Sequence, residues 1–567
     1  MKHREGEGIA QARQYMNAPV IPAWLVWCVA LGLVLGGIGS FGILDNNEGL
    51  YAEIPREMLA SGDWHMWVIP HLNGLPYMEK PPLLYWLTAM SFALFGESEW
   101  SARLVPALSS LSCVWMLLWF GRAAGHRLAG RLAALMFVSG LGVMAMSHVL
   151  MFDMLLTALL TAALMLAWRS VAERRPALLR GSYAFLAAAV LTKGFVALVL
   201  FGLVAFAFTA SHRQGIGSFL RDCAAWFEWR ALLVFIIIAA PWHVAASLTE
   251  PIFAWFYFVN EHVLRFLGKR EPHDYYSGAW WYYLPRMAIY LFPWSFLVIP
   301  VVFRRAMQIR EEGSLKRFLF LAWLLPLAFF SVSSAKANYY LVAVMPFAAF
   351  HLALAIEERG WLRPASRALP GLLIAILASI LLAVIVVRGI GGERQLVVMG
   401  LPQQQFVCVM LAVTLALALL GSLGAWRFAR IGLLAYLPLP VWTGVALVMA
   451  LHAMEPAIST RQLAQYLQQN LAGRSVYLYR NFEEQSSLPF YLKHPVPIVD
   501  ARSNDLFWGN RLRVNDIIIS PERFSREMLQ KPVAIVVLQR QLAEFRQAYG
   551  TKFKDEKRIG DSTVFSN

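Results

Sequence analysis

The chain has 567 residues, of which 58% are hydrophobic and only 15% are charged, and its net charge is +15. This composition excludes an ordinary soluble protein, and apolar runs of about 16–28 residues indicate a polytopic α-helical membrane protein rather than a barrel of short strands. The basic residues lie between the apolar runs, so we interpret the positive charge as a topology signal and expect no nucleic-acid partner.

Thirteen apolar runs predict membrane spans. No small-residue cleavage motif follows the first run, so we expect a retained span rather than a signal peptide. The run at 82–95 has only fourteen residues, and we interpret it as an interfacial or re-entrant helix. The predicted spans are 20–44, 100–120, 129–148, 152–169, 182–193, 195–210, 231–248, 284–303, 317–333, 339–356, 368–388, 404–425 and 431–452.

The loops between the spans predict which side of the membrane each lies on. If the N-terminus is cytoplasmic and 82–95 does not cross, every cytoplasmic loop is basic, as the positive-inside rule requires. Thirteen crossings then place the C-terminus on the outer side. The basic loops are 121–131, 169–180, 211–230, 304–317, 357–367 and 426–430.

The first outer loop, within residues 45–98, begins with a polar, acidic and aromatic segment. Charges beside a membrane span are costly to place and usually functional, so some of these groups are expected to belong to a site. The charged candidates at 45–86 are Asp45, Glu48, Glu53, Glu57, Asp63, Glu79 and Lys80.

Residues 455–567 follow the last predicted span and are mixed and polar. Short β-like runs at 475–479, 496–499, 516–520 and 533–538 alternate with helical stretches such as 460–471. We therefore predict a membrane domain at 1–454 and a small α/β domain at 455–567 on the outer side.

Further charged groups lie on the predicted outer face, and each has a plainer interpretation. Asp153 could act only as a first-turn acid of its helix. Lys193 could simply mark the turn between two short spans, and Lys336 could extend its amine to the interface. Glu79 and Lys80 could form a local ion pair.

The combination is more specific than any single member. Cations at the outer boundary suit a lipid phosphate, a nearby carboxylate suits a base that activates a hydroxyl, and amphipathic aromatic helices suit a lipid tail. Together they predict transfer of a group from a lipid phosphate. The outer cations are Lys80, Lys193, Arg265, Lys269, Arg270 and Lys336.

Four segments carry a family resemblance: EGLYAEIPREMLASGDW followed by PHLNGLPYMEKPPLLYW, then LTKGF, EHVLRF and SSAKANYYL. They resemble the GT-C membrane glycosyltransferases, in particular the lipid A aminoarabinose transferases and, more distantly, the protein O-mannosyltransferases. The resemblance implies a bacterial inner-membrane enzyme with a periplasmic active site. It implies a polyprenyl (undecaprenyl) phosphate-sugar donor, and lipid A or a related glycolipid as acceptor.

The resemblance also implies roles for particular residues. Lys80 and Arg265 would bind the carrier phosphate, assisted by Tyr340, with Lys336 and Lys193 as further candidates. Asp153 matches the family's second outer acid. The remaining candidates for the cavity wall are Tyr51, Tyr77, Glu79 and His262.

One departure from the family pattern concerns the catalytic acid. The aminoarabinose transferases carry an Asp-Glu pair before Tyr-Ala-Glu, whereas this chain has Asn47 followed by Glu48. Since an amide cannot act as a base, the expected catalytic carboxylates are Glu48 and Asp153, with Asp45 as a third candidate. A single carboxylate-assisted displacement would invert the anomeric carbon.

No cofactor is expected, and a divalent metal near Glu79, His262 and His273 stays open without any ligand spacing to support it. The alternative function is a lipid-phosphate or glycolipid transporter or flippase without transfer activity. That alternative predicts internal repeats and charges near the bilayer midplane, and neither is evident in the sequence.

Overall fold

Long apolar helices dominate the computed structural model, which describes residues 21–211, 216–273, 278–298, 314–358, 363–388, 397–398, 401–428 and 430–567. Eight helices in these ranges are long and apolar enough to cross a membrane, and a pair bent by 64° (Arg127–Val138 with Leu141–Ser147) could be a ninth. The prediction of a polytopic helical membrane protein is confirmed. The α-helices between residues 21 and 249 are Ala23–Leu35, Asn47–Ser61, His65–Val68, Leu83–Phe95, Glu99–Ala123, Arg127–Val138, Leu141–Ser147, Phe152–Glu173, Ala177–Lys193, Val196–Ala210, Ile216–Ala224 and Trp229–Thr249.

A π-helix at Trp255–Leu264 and several 3₁₀ turns interrupt the second half of the membrane domain. The 3₁₀ turns are Trp294–Leu297, Asn338–Val344 and Gly432–Tyr436. The α-helices of this half are Tyr283–Tyr290, Ser314–Val332, Met345–Glu358, Pro364–Arg388, Gln403–Arg427 and Pro438–Ile458, with a short hairpin of Val397–Val398 and Leu401–Pro402.

The count of thirteen crossings stays a prediction. Three predicted spans correspond to helices of only 13, 17 and 15 residues, namely Ala23–Leu35, Ala177–Lys193 and Val196–Ala210. The end of the predicted span at 284–303, and parts of the basic loops at 211–230, 304–317, 357–367 and 426–430, lie outside the described residues.

Gly194 explains why the apolar stretch around Lys193 is divided into two helices. Its φ of +80° is a left-handed conformation, and a Cβ there would lie 2.3 Å from Nε2 of His262. Only glycine adopts this conformation freely and leaves the neighbouring ring in place. The turn therefore places Lys193 at a helix end, beside the π-helix that carries His262.

The fourteen-residue run at 82–95, which was too short for a predicted span, forms helix Leu83–Phe95. It follows Pro81 and Pro82 and ends at Gly96, whose φ is +78°. The next helix, Glu99–Ala123, begins with a capping box formed by Ser98 and Ser101. Helix Leu83–Phe95 packs against both Glu99–Ala123 and Asn47–Ser61.

The first outer loop folds onto the C-terminal region through a short hairpin. Strands His71–Leu72 and Leu75–Pro76 are joined by Asn73 and Gly74, both with positive φ. The Asn73 side chain donates to the carbonyl oxygen of Val496 at 2.9 Å and accepts from its N–H at 2.7 Å.

The C-terminal region contains a six-stranded sheet with helices around it. The four predicted β-runs are strands, and a final hairpin adds two that the sequence pattern did not predict. From one edge to the other the strands are Ile518–Ile519, Ile498–Val499, Ser475–Tyr479, Val533–Leu538, Ser562–Ser566 and Asp555–Ile559. The first four pair in parallel and the last two antiparallel. The helices are Arg461–Asn470, Leu488–Leu492, Phe507–Leu512, Pro521–Gln530 and Leu542–Tyr549.

Candidate active site

A cavity of about 1000 Å³ lies where the first outer loop, the segment at 250–273 and the C-terminal region meet. Apolar, aromatic and charged side chains line it, and the charged ones come from these three segments and from the helix ends that carry Asp153 and Lys193. Most of the predicted site residues line it: Tyr51, Tyr77, Glu79, Lys80, Asp153, Lys193, His262, Arg265 and Tyr340.

Two predicted phosphate ligands converge on one carboxylate oxygen. Nη1 of Arg265 lies 3.0 Å from Oε2 of Glu261, and Nζ of Lys80 lies 3.6 Å from the same oxygen. Glu261 is in the π-helix Trp255–Leu264, a rare geometry that is frequent at functional sites. An anion entering the cavity would therefore meet two cations already directed to one point.

Arg270 holds the acidic partners of these cations in place. Its Nη2 lies 2.7 Å from Oε1 of Glu79, and its Nε contacts Oε1 of Glu261. Burial alone would raise the pKa of Glu261, but Lys80, Arg265 and Arg270 together lower that pKa to about 2. Glu261 therefore stays ionised, and sequence reasoning missed its role although it lies within the quoted EHVLRF element.

Asp153 and Lys193 form a second charged pair in the cavity. Nζ of Lys193 lies 2.5 Å from Oδ1 of Asp153 and 4.2 Å from the ring centroid of Tyr340. Asp153 is also in the first turn of helix Phe152–Glu173, so the plainer interpretation as a helix-start acid and the interpretation as a site residue both apply.

Glu48 does not line the cavity, so the geometry gives no support to its assignment as a catalytic candidate. It is buried, and its carboxylate accepts from Nε and Nη2 of Arg103 at 2.8 and 2.9 Å. It also accepts from the backbone N–H groups of Leu44 and Leu150, each at 2.8 Å. With these donors in place, the carboxylate holds the fold and has no lone pair directed to a substrate.

Asp45 also lies outside this cavity and lines a smaller one of about 300 Å³. Its Oδ1 accepts from the backbone N–H and the hydroxyl of Ser487 at 3.0 and 2.7 Å. Burial raises the pKa of Asp45 to about 8. The geometry thus gives Asp45 a role in joining the first outer loop to the C-terminal region, and its assignment as a catalytic group stays a prediction.

Asn47 occupies the cavity wall, where the sequence pattern places the family's missing acid. The hydroxyl of Tyr51 donates to Oδ1 of Asn47 at 3.4 Å, and the Tyr51 ring meets Phe152 edge-on with centroids 4.8 Å apart. Also in the cavity lining, the hydroxyl of Tyr77 donates to Oε2 of Glu79 at 3.4 Å.

Lys336 is buried and does not line the cavity, so the geometry gives no support to its assignment to the carrier phosphate. Its Nζ donates to the carbonyl oxygens of Ser331 and Ser333 at 2.8 and 2.7 Å. It therefore satisfies carbonyl groups at the C-terminal end of helix Ser314–Val332, where a cation is favourable.

His262 lines the cavity, but both of its ring nitrogens are hydrogen-bonded to backbone groups. Nδ1 bonds to the carbonyl oxygen of Tyr257 at 2.6 Å, and the N–H of Phe195 donates to Nε2 at 3.0 Å. The described part of the chain contains no group of three or more His, Cys, Asp or Glu side chains suited to a metal. A metal near Glu79 stays an untested prediction.

The helical membrane fold and its charged cavity are those of the GT-C class, and comparisons with known proteins agree. A family model described as dolichyl-phosphate-mannose-protein mannosyltransferase matches residues 79–244. The crystal structure of ArnT from Cupriavidus metallidurans bound to undecaprenyl phosphate superposes with a TM-score of 0.79 and 26% identity. That similarity covers 96% of this chain and 97% of the other.

Two bacterial relatives make the family more specific. An undecaprenyl phosphate-alpha-4-amino-4-deoxy-L-arabinose arabinosyl transferase of Pseudomonas paraeruginosa is 31% identical over 460 residues, covering 78% of this chain and 77% of the relative. A Pseudomonas fluorescens enzyme with the same description is 29% identical, over 60% of this chain and 58% of that relative's length. The chain belongs to the family of undecaprenyl phosphate-aminoarabinose arabinosyl transferases.

Proposed function

We propose that this protein is an integral-membrane glycosyltransferase that moves a sugar from a polyprenyl (undecaprenyl) phosphate to lipid A or a related envelope glycolipid. The observation that carries the proposal is the convergence of Lys80 and Arg265 on one oxygen of Glu261 inside the cavity. The relative bound to undecaprenyl phosphate and the relatives described as arabinosyl transferases support it.

The phosphate of the donor would lie between Lys80 and Arg265. As the bond between the anomeric carbon and the phosphate oxygen breaks, negative charge develops on the phosphate, and preorganised cations stabilise this charge. Each such donor is worth about 3–4 kcal/mol in other enzymes with preorganised sites. Attack from the opposite face inverts the anomeric carbon.

The carrier tail would lie along the apolar side of the cavity, towards the lipid. Val199, Phe266 and Leu267 line the cavity and expose 42%, 43% and 58% of their surface. An apolar wall continuous with the membrane side suits a long prenyl chain. In this proposal the protein lies in a bacterial inner membrane, with the cavity and the C-terminal region in the periplasm.

The test uses the purified full chain in lipid nanodiscs, with a radiolabelled sugar on polyprenyl phosphate and lipid A as acceptor. We expect label in lipid A with the wild-type chain and a loss of at least about 100-fold in Lys80→Ala and Arg265→Ala. Lys557→Ala is the control, since Lys557 is exposed on an edge strand of the C-terminal sheet.

Full turnover in both cavity variants would contradict the phosphate site. Movement of intact donor across the bilayer without release of polyprenyl phosphate would instead indicate a flippase.

A further inference from the structure

The C-terminal region contributes its own charged side chains to the main cavity. The cations of the proposed donor site, Lys80 and Arg265, come instead from the first outer loop and from the end of the π-helix. A transferase must also hold an acceptor, and the side chains of the C-terminal region take no part in the proposed donor site. Its charged and amide residues in the cavity lining include Glu483, Glu484, Arg502, Asn504, Asp505 and Arg540.

The cations of the cavity lining differ in how closely an acceptor group holds them. Nζ of Lys80 donates to the carbonyl oxygen of Glu79 at 3.2 Å. Nη2 of Arg502 lies 3.9 Å from Oδ2 of Asp500, which is too long for a hydrogen bond. Within the described ranges this is the one carboxylate contact of the Arg502 guanidinium, and no hydrogen-bond acceptor lies within reach of it. The other cations of the lining lie 2.5–3.0 Å from a carboxylate oxygen, and they are Lys193, Arg265, Arg270 and Arg540.

Asp500 is a weak partner for Arg502, because another arginine already binds the same oxygen. Nε of Arg480 donates to Oδ2 of Asp500 at 2.7 Å. The side chain of Arg502 is 61% exposed, and an exposed ion pair at such a distance contributes little to stability. The backbone is fixed, since the N–H of Arg502 donates to the carbonyl oxygen of Arg480 at 2.8 Å. The guanidinium can therefore turn to an anion in the cavity at a small cost.

Two contacts hold the segment that carries Arg502 against the elements of the donor site. Nδ2 of Asn504 donates to the carbonyl oxygen of His273 at 3.3 Å, in the same segment as the donor-site arginines. Helix Phe507–Leu512, which follows, packs against strand Leu75–Pro76 of the first outer loop. Because two residues span at most about 7 Å, Arg502 lies close to the segment that carries His273.

The chemistry of Arg502 suits a phosphate or another oxyanion. A guanidinium presents paired N–H donors in one plane, and these match two oxygens of a phosphate. The phosphate of the donor is already placed between Lys80 and Arg265. A further cation without a protein acceptor in the described ranges therefore fits an anion on the other substrate.

We propose that Arg502 binds an anionic group of the glycolipid acceptor and so sets the specificity for charged acceptors. Arg502 would hold the acceptor in the cavity while the sugar is transferred, and it would take no part in bond cleavage. The inference rests on the function proposed above.

Arg540 is less suited to this role, although it also comes from the C-terminal region and lines the cavity. Its Nη2 lies 2.6 Å from Oε1 of Glu484. An anion that bound Arg540 would have to compete with this carboxylate, whereas an anion at Arg502 would replace only a contact of 3.9 Å.

The test compares Arg502→Met and Arg502→Lys with Arg526→Met. Arg526 is exposed on helix Pro521–Gln530 and lines neither cavity, so it is the matched control. The chains are placed in nanodiscs of zwitterionic phosphatidylcholine, so that the donor and purified lipid A are the anionic lipids present. We measure kcat, the KM for donor and the KM for lipid A at low and high KCl, and thermal unfolding of each variant.

For Arg502→Met we expect the KM for lipid A to rise about 5–10-fold, with the donor KM unchanged. Salt screens a charge that is partly exposed, so KCl should raise the wild-type KM for lipid A more than that of Arg502→Met. Arg502→Lys should recover part of the affinity, because it keeps the charge and loses the paired donors. Arg526→Met should behave as the wild type.

Two outcomes would overturn the inference. One is an Arg502→Met variant, folded as the wild type, whose KM for lipid A and its dependence on KCl are unchanged. The other is a rise in donor KM with the KM for lipid A unchanged, since Arg502 would then serve the donor phosphate. If the wild-type chain transfers no sugar, or Lys80→Ala is fully active, the proposed function fails instead, so the two failures are distinguishable.

Discussion

Replacing Glu48 by glutamine tests whether this carboxylate supports the fold or the chemistry. Arg103 is completely buried, and it donates to Glu48 and to the carbonyl oxygens of Ile38, Phe41 and Gly42 at 2.7–2.9 Å. Glu48→Gln keeps the shape of the side chain but leaves the buried guanidinium without its counter-ion.

The magnitude follows from the burial of this pair. Removing one partner of a buried ion pair typically costs about 3–5 kcal/mol, because the remaining charge is uncompensated. Removing both partners often costs less than removing one. We therefore expect Glu48→Gln to be destabilised by about 3–5 kcal/mol, and a double variant with Arg103→Met to recover part of that loss.

The assay is denaturant unfolding in mixed micelles, combined with kcat measured on the fraction that remains folded. Folded Glu48→Gln should retain most of the wild-type kcat, because no oxygen of Glu48 reaches the cavity. A variant with wild-type stability and no transfer activity would refute this reasoning and restore Glu48 as a catalytic group.

Three further predictions concern the outer loop and the cavity. Asn73→Ala removes both hydrogen bonds to Val496 and should lower the free energy of unfolding by about 1–3 kcal/mol, measured by the same unfolding assay; an unchanged value would show that the hairpin does not anchor the loop. Folding raises the pKa of Asp45 from 3.8 to about 8, so its contribution to stability is largest below pH 3.8, falls as pH rises, and is flat above 8. Asp45→Asn should therefore flatten the pH dependence of unfolding in that window, and an identical slope would contradict the shift. Arg270→Met should raise the donor KM, because the two glutamates that Arg270 binds would draw Lys80 away from the phosphate. A donor titration with unchanged KM would show that Arg270 does not position Lys80 for the phosphate.

The fold was largely predictable because span length and loop charge are strong local signals. The final hairpin was missed for a physical reason. Strand Asp555–Ile559 reads DEKRI, with four charged residues that are exposed at the sheet edge, so no apolar alternation indicates it. Pairing with the buried strand Ser562–Ser566 decides its conformation.

The site was predictable only in part, since spacing cannot show which charges pair. Lys80, Arg265 and Asp153 were found from their motifs, and they line the cavity. Glu48 was a reasonable candidate until Arg103, 55 positions away, proved to hold it. Asp505 comes from a region whose sequence carries no catalytic motif, and only the fold brings it into the same cavity as Lys80.

Lys80 and Arg270 lie at different distances from the carboxylates they contact, and we therefore expect different roles for them. Arg270 lies 2.7 Å from Glu79 and is buried, whereas Lys80 lies 3.8 and 3.6 Å from Glu79 and Glu261. Arg265 completes the group, in which three cations and two carboxylates leave one net positive charge. The donor phosphodiester carries one negative charge and would neutralise this group.

Bond cleavage then adds further negative charge to the phosphate, which the neutralised group can stabilise only if a cation moves closer. Lys80 can do so, because its contacts with both carboxylates are long and its stem is flexible. Arg270 cannot without breaking its short contact with Glu79. Lys80 should therefore contribute mainly to kcat, and Arg270 mainly to the affinity for donor. Equal effects of Lys80→Ala and Arg270→Met on kcat would show instead that the cations and carboxylates of this group act as one rigid unit.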